Sequence, residues 1–413
     1  MEGLQPIYRR VAGIDVHRML HVVTVIIEQA DGGIEHSSRE FGGFQRDCRQ
    51  LCRWLVELDV ELVVMESTGI YWKSLYAHLE RAGIEAWVVN AHFVKHVPGR
   101  KTDMSDSQWL AVLARFGLVR GSFIPPQDLR ELRLLSRYRR KLNTMHASEV
   151  NRLHKILDDG GIKLGGVVSD LNGVSARKIV AGLIAGASID ALLDMAHGKL
   201  KPKREALQAA LDGDLTARHL FMLKHLQAHI DTLERELAEL DTYLLGAMAP
   251  YHWAHRLLQT IPGIDQIASA LILIEIGDDM TRFGCADRLA AWAALCPGNN
   301  ESAGKRKSGK TRKGNTTIRY ILCECANAAR MTKSSLAAKY KSLMVRKTHK
   351  KTIVAIAHKM IRLIYLLLTR KEPYHDPNID YDAMSARKNA PRWIKQLRLI
   401  GQWPTAVPAM ATT

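Results

Sequence analysis

The sequence predicts a mixed α/β domain at the N-terminus, then a long helical arm, then a mostly helical C-terminal region. Three observations carry this. Short apolar, β-branched runs alternate with helix-length amphipathic stretches through about the first hundred residues. Pro125-Pro126 ends that pattern, and two long stretches of helical periodicity come after it. Beyond roughly residue 250 helical spacing continues, interrupted by an Ile-Pro-Gly-Ile turn and one long polar, cationic segment.

Residues 11–15, 21–27 and 33–41 predict three consecutive strands, with Asp31-Gly32-Gly33 as a turn before the third. Helical spacing over 45–58, an apolar run at 61–66, helical spacing over 71–82, a strand at 85–90 and a helix over 104–116 complete the domain. Three adjacent strands followed by helix–strand units predict a mixed sheet covered by helices. Ligands of such sheets gather beyond strand ends. Residues 129–158 predict a long helix rich in Arg and Lys. The stretch 160–203 carries glycines and a short helix near 176–185. Residues 204–246 have heptad-like apolar spacing at Leu223, Leu226, Ile230, Leu233, Leu237 and Leu240, so the two long helices are expected to pair as an antiparallel coiled-coil arm. Around Ile261-Pro262-Gly263-Ile264 the pattern is helix, tight turn, helix, a hairpin suited to gripping a phosphate backbone. A helix over 286–294, a polar loop over 297–315 and helices over 317–330 and 352–368 come next. The expected domains are 1–124, 125–250, 251–372 and a basic tail, 373–413.

Composition narrows the function. The chain has 413 residues and is 47% hydrophobic, enough for several packed cores. Its formal net charge of +17 points to a polyanionic partner, with nucleic acid ahead of a membrane surface. The apolar stretch 361–368 is too short to span a bilayer, and no signal-peptide pattern opens the chain. None of the six cysteines forms a Cys-x-x-Cys pair, so they read as reduced thiols. A soluble cytoplasmic protein is expected.

Four acids stand out. Asp15 and Glu66 end apolar strand runs, and Asp103 and Asp106 lie three apart at a helix start. One such acid is ordinarily a cap or turn residue. Carboxylates buried at strand ends are costly unless paired or bound to metal, and a convergent set suits Mg²⁺, with Mn²⁺ as a substitute. In so basic a chain the substrate is expected to be a phosphodiester.

The segment CPGNNESAGKRKSGKTRKGNTTIR holds Lys305, Arg306, Lys307, Lys310, Arg312 and Lys313, a charge density that binds phosphates. Arg137, Arg139, Arg140 and Lys141 form a second basic group on the arm. Residues 304–311 also spell a Walker A string, but no buried strand precedes it and a Gly-Asn pair interrupts the helical stretch after it. Ser302 sits beside these cations, where an attacking oxygen would be stabilised.

GIDVH, MESTGIYW, KTDMSDSQWLA, the IPGI hairpin and PGNNESAGKRKSGKTRKGN together resemble, in that order, the DEDD transposases of insertion sequences. More narrowly they are similar to the IS110 family in its IS1111 branch. The resemblance covers most of the chain. It implies an RNase H-like, RuvC-type N-terminal domain, a coiled arm and a C-terminal transposase domain. It places the four metal-site acids on Asp15, Glu66, Asp103 and Asp106 and the nucleophile on Ser302; Ser308 is the less favoured substitute. Members often carry Gly directly after the serine; this chain has Ala303 before Gly304. The resemblance also implies RNA-guided recombination of double-stranded DNA, a structured guide RNA from the element, and a homotetramer in a nucleoid-associated setting. Two other readings share the acids or the charge. One is a metal-dependent nuclease or Holliday-junction resolvase that uses activated water. The other is a non-catalytic nucleic-acid-binding protein.

Overall fold

The computed structural model describes residues 5–67, 69–94, 104–298 and 300–402. The chain divides into two compact units, Met1–Gln127 and Asp128–Thr413.

The first unit is built on a five-stranded sheet. Its strands are β1 (Arg10–Val16), β2 (Leu20–Glu28), β3 (Ile34–Gly42), β4 (Leu62–Glu66) and β5 (Ala86–Val89), in the order β3-β2-β1-β4-β5. The β1–β2 and β2–β3 pairs are antiparallel, and β1–β4 and β4–β5 are parallel. This is the mixed sheet that three adjacent strands and two helix–strand units predict. The helices are α1 (Gln45–Glu57), α2 (Trp72–Arg81), the single turn α3 (Ala91–Val94) and α4 (Asp106–Arg115).

Strand alternation sorts the sheet into two faces. Ala12, Ile14 and Val16 join Val63 and Met65 in one core with Leu51 and Leu55 of α1 and Leu75 and Leu79 of α2. Val11, Leu62 and Val64 belong to the opposite core, with Leu110, Ala111 and Leu113 of α4. Gly13 lets α4 lie directly on β1. A Cβ there would come within 2.0 Å of the Ser107 carbonyl oxygen and 2.4 Å of the Ala111 nitrogen. Any side chain at 13 would therefore push α4 off the sheet.

The second unit is helical. It contains α5 (Gln127–Asp159), α6 (Val174–Ile184), α7 (Ile189–Asp194), α8 (Arg204–Ala210) and α9 (Ala217–Gly246). After these come α10 (His252–Leu258), α11 (Gln266–Ile276), α12 (Ala286–Trp292), the strands β6 (Asn300–Ser302) and β7 (Lys305–Ser308), α13 (Thr316–Ala329), α14 (Ser335–Met344), α15 (His349–Arg370) and α16 (Tyr381–Leu399).

The pairs Arg139–Asp241, His146–Glu234, Glu149–His229 and Asp159–His219 run in opposite order along α5 and α9, so these helices lie antiparallel. Toward the C-terminal end of α5 their apolar residues are part of a larger core rather than a free two-helix seam. Leu153 and Leu157 of α5 and Leu223, Leu226 and Ile230 of α9 share a core with Ile179 and Val180 of α6, Leu192 of α7 and Leu207 of α8. The predicted stretch 204–246 is also broken in two. Gly213 approaches the Gly160 carbonyl too closely for any side chain, since a Cβ would meet that oxygen at 2.6 Å. Thr216 then starts α9 afresh, its hydroxyl accepting from the His219 backbone N–H.

The helices α10, α12, α13 and α14 pack against α15, whose Ile353, Ile356, Met360, Ile361 and Ile364 are buried. At 22 residues α15 is longer than its apolar centre suggested, and by length and composition it could cross a bilayer. Half of its apolar window is buried inside the protein, as in a core helix. The tail contains a helix, α16, that runs through Pro391. The thiols are unpaired, and burial pushes that of Cys325 up to about 12.

Candidate active site

Asp15 is the penultimate residue of β1 and Glu66 the last of β4. The two strands run parallel with Ile14 beside Met65, so Asp15 and Glu66 are the next neighbours at the carboxyl end of the sheet. Both share the parity of Gly13 and Val64, which places them on the face that α4 covers. Asp106 opens α4, and its neighbour Ser107 is the residue whose carbonyl meets Gly13. Three of the four predicted acids thus belong to one end of one sheet face. Asp103 lies outside the described residues. Among the described residues no group of three His, Cys, Asp or Glu side chains could hold a metal. The neighbouring carboxylates Asp15 and Glu66 nonetheless offer the hard oxygen donors that Mg²⁺ or Mn²⁺ prefers.

Two supporting features carried no sequence signal. His17 lies with Nε2 3.1 Å from Asp15 Oδ2, the kind of contact that orients a carboxylate. A hydroxyl chain pins the start of α4 to the sheet: Ser107 Oγ is 2.8 Å from Thr24 Oγ1, which is 3.0 Å from Ser38 Oγ. Ser105 caps the helix by accepting from the Gln108 N–H at 3.2 Å. Asp106 is therefore held on a rigid helix start.

In the second unit the predicted polar loop is a β-ribbon. β6 and β7 pair antiparallel, with Ser302 opposite Lys305 across the two-residue turn Ala303-Gly304. Both turn residues have positive φ, +49° and +73°, as a tight hairpin turn requires. The ribbon continues to its base through the Pro297–Thr311 bridge and the Gly298 N–H, which donates to the Lys310 carbonyl at 2.8 Å. The run of cations hid the period of two from sequence reasoning. The Walker A string is not a P-loop here, because Lys305–Ser308 is an extended strand where a P-loop needs a phosphate-cradling turn into a helix.

Ser302 ends β6 immediately before the turn, and Lys305, Lys310, Arg312 and Lys313 are exposed along β7 and its continuation. Arg306 and Lys307 complete the cationic strand. Ala303 occupies a left-handed backbone position that an L side chain disfavours by about 1 kcal/mol. Ala303→Gly is expected to stabilise the ribbon by about that amount, read as slower amide exchange across residues 300–308.

The arm cations separate by environment. Arg139 chelates Asp241, with its Nη2 donating to Oδ2 at 2.9 Å, and this hydrogen bonding holds its guanidinium above the ordinary value. Its donors are committed to joining α5 and α9. Arg140 stacks 4.2 Å over the Tyr320 ring, Lys141 is exposed, and Arg137 Nη2 lies 3.6 Å from buried Glu275. The IPGI hairpin forms between α10 and α11 as predicted. Gly263, at φ +88°, presses onto α13, where a Cβ would meet the Cys325 carbonyl at 2.5 Å. Asp265 caps α11, accepting from the Ala268 N–H at 2.7 Å. That N–H at the helix start is therefore already occupied by a carboxylate.

Residues 12–161 match the IS110-type DEDD transposase family, and residues 255–341 match the transposases of the IS116/IS110/IS902 family. The first span contains all four acids; the second contains the IPGI hairpin and Ser302. A "Probable family 20 transposase" of Pseudomonas aeruginosa is 24% identical over 321 residues, 76% of this chain and 85% of the relative. The transposase for insertion sequence element IS1111A of Coxiella burnetii is 25% identical over 334 residues, 78% of this chain and 81% of the relative. Among solved structures, Thermus thermophilus RuvC aligns with 27% of this chain and 99% of its own, at 14% identity and a TM-score of 0.22.

Proposed function

We propose that the chain, which matches transposase family models over residues 12–161 and 255–341, is a transposase of the IS110/IS116/IS902 family that cleaves and rejoins DNA to excise and insert an insertion sequence, with Ser302 as nucleophile. The observation that carries this reading is the pairing of Asp15 and Glu66 at one strand end, on the face where α4 presents Asp106. In this reading Asp15, Glu66, Asp103 and Asp106 hold Mg²⁺, or Mn²⁺ in its place. When bound, the cation neutralises charge developing on the phosphate and on the attacking or leaving oxygen.

The protein's own groups do the rest. The Ser302 Oγ forms a bond to the scissile phosphorus and gives its proton to a carboxylate or solvent base. The bond from phosphorus to the leaving deoxyribose oxygen breaks, and that oxygen takes up a proton. Attack by the hydroxyl of a second strand on the phosphoserine reverses these steps and frees Ser302, so the phosphodiester count is conserved without an external energy source. Lys305, Arg306, Lys307, Lys310, Arg312 and Lys313 hold flanking phosphates. Arg137, Arg140 and Lys141 extend that surface, whereas Arg139 contributes through the fold.

A structured guide RNA from the element directs this exchange in our reading, and the +17 balance suits a protein that carries RNA and DNA together. The acids and the serine lie in different compact units. We assign the working assembly as a homotetramer in which one copy's acids meet another copy's serine, acting on DNA in the bacterial cytoplasm. The test uses purified protein with its copurifying RNA and a plasmid bearing the element ends. Cleavage is expected with Mg²⁺ or Mn²⁺ and to stop with EDTA; cleavage that persists in EDTA would contradict the reading.

A further inference from the structure

We propose that Glu275 is a positioning residue for the ribbon that carries Ser302, acting through Asn315; the catalytic part of this rests on Ser302 being the nucleophile. Glu275 is the penultimate residue of α11 and is 0% exposed. A carboxylate suits that place poorly, because it is out of water and at the negative end of a helix dipole. Arg133 of α5 compensates it. The guanidinium Nε lies 3.4 Å from Glu275 Oε2, and the same side chain donates to the Ile274 and Glu275 carbonyls at 3.3 and 2.5 Å.

A buried ion pair alone would be weak support for a role, since apolar side chains often stabilise as well. What an apolar pair could not do is accept a hydrogen bond from the ribbon. Asn315 Nδ2 donates to Glu275 Oε2 at 2.6 Å. The other face of the same amide starts α13, with Oδ1 accepting from the Thr317 and Ile318 N–H groups at 2.9 and 3.2 Å. Its backbone N–H donates to the Trp292 carbonyl at 2.8 Å. Position 315 thus needs a side chain that accepts on one side and donates on the other, which among N-cap residues the amide of Asn supplies without rotation.

Both legs of the ribbon meet at this anchor. One leaves the end of α12 at Ala294, and the other returns through Gly314, where a Cβ would meet the Trp292 carbonyl at 2.5 Å. Ser302 lies five residues along the chain from the base at the Pro297–Thr311 bridge, so it can stand at most roughly 17 Å from that base. A tilt of about 10° at the base would move the tip by up to about 3 Å, and misplacement by about 1 Å is enough to cost a nucleophile about 100-fold. The clasp therefore sets where Ser302 can stand. Arg137, 3.6 Å from Glu275 Oε1, links the same carboxylate to the basic surface of α5.

The test reverses the hydrogen bond. Asn315→Asp keeps the cap on α13 but sets a carboxylate against Glu275. Glu275→Gln combined with Asn315→Asp restores the bond with donor and acceptor exchanged. Two readouts are made on the full chain: the rate of tryptic cleavage between residues 305 and 313, and the rate of covalent adduct formation at saturating DNA. Asn315→Asp is expected to speed tryptic cleavage about tenfold and slow adduct formation about 100-fold, with DNA affinity changed less than about twofold. The double variant is expected to return both rates to within about threefold of native. A double variant no better than Asn315→Asp overturns the proposal, as does tryptic rescue without any change in adduct rate. If the native protein forms no adduct, the Ser302 reading fails, and the tryptic comparison alone then decides for or against the clasp.

Discussion

Ser302→Ala is expected to bind DNA and RNA as the native protein does and to form no covalent protein–DNA adduct, with strand cleavage falling roughly 10⁴-fold or more. The size of the loss comes from the chemistry. A nucleophile that forms the covalent intermediate has no partial substitute when its oxygen is removed, unlike a group that merely stabilises charge. The position can lose its hydroxyl without harm to the fold, since it ends a short strand before an exposed turn. Measuring binding by electrophoretic shift and adducts by denaturing gel separates the two effects. An alanine variant that still forms adducts would move the nucleophile elsewhere, with Ser308 in β7 the first place to look. An alanine variant that cleaves at the native rate without adducts would favour activated water.

Asp15→Asn and Glu66→Gln are each expected to lower cleavage by about 10³-fold, equivalent to about 4 kcal/mol of transition-state stabilisation, while leaving the fold and nucleic-acid affinity unchanged. Each change keeps the side chain's size and removes the charge that would hold a cation. The two are expected to be strongly non-additive, because strand neighbours that would hold one cation together would act as a unit. A non-catalytic nucleic-acid-binding protein would show no loss in either variant. Circular dichroism and the thermal midpoint check that the sheet is intact.

The first unit was legible because its signals are local. Each apolar run that became a strand is bounded by turn residues, and the predicted helices end within a few residues of the observed ones. The neighbourhood of Asp15 and Glu66 was readable from strand type and position alone. The features that stayed hidden depend on contacts between distant segments. His17 beside Asp15 and the Thr24–Ser107 bond carry no periodic signature. The split between α8 and α9 rests on Gly213 meeting Gly160, more than fifty residues earlier. The ribbon carries no strand signal because consecutive Lys and Arg leave no alternation of polar and apolar residues. Arg139 looks like its basic neighbours in the sequence, which does not show that Asp241 stands opposite.

In the proposed reaction Ser302 becomes covalently joined to DNA during cleavage. The most direct measurement is to let the native protein cleave DNA bearing the element ends in Mg²⁺, quench with denaturant, digest the protein and the DNA, and locate the nucleotide-bearing peptide by mass spectrometry. A phosphonucleotide on Ser302 is the expected result. A modified residue elsewhere, or cleaved DNA with no modified peptide, would contradict it.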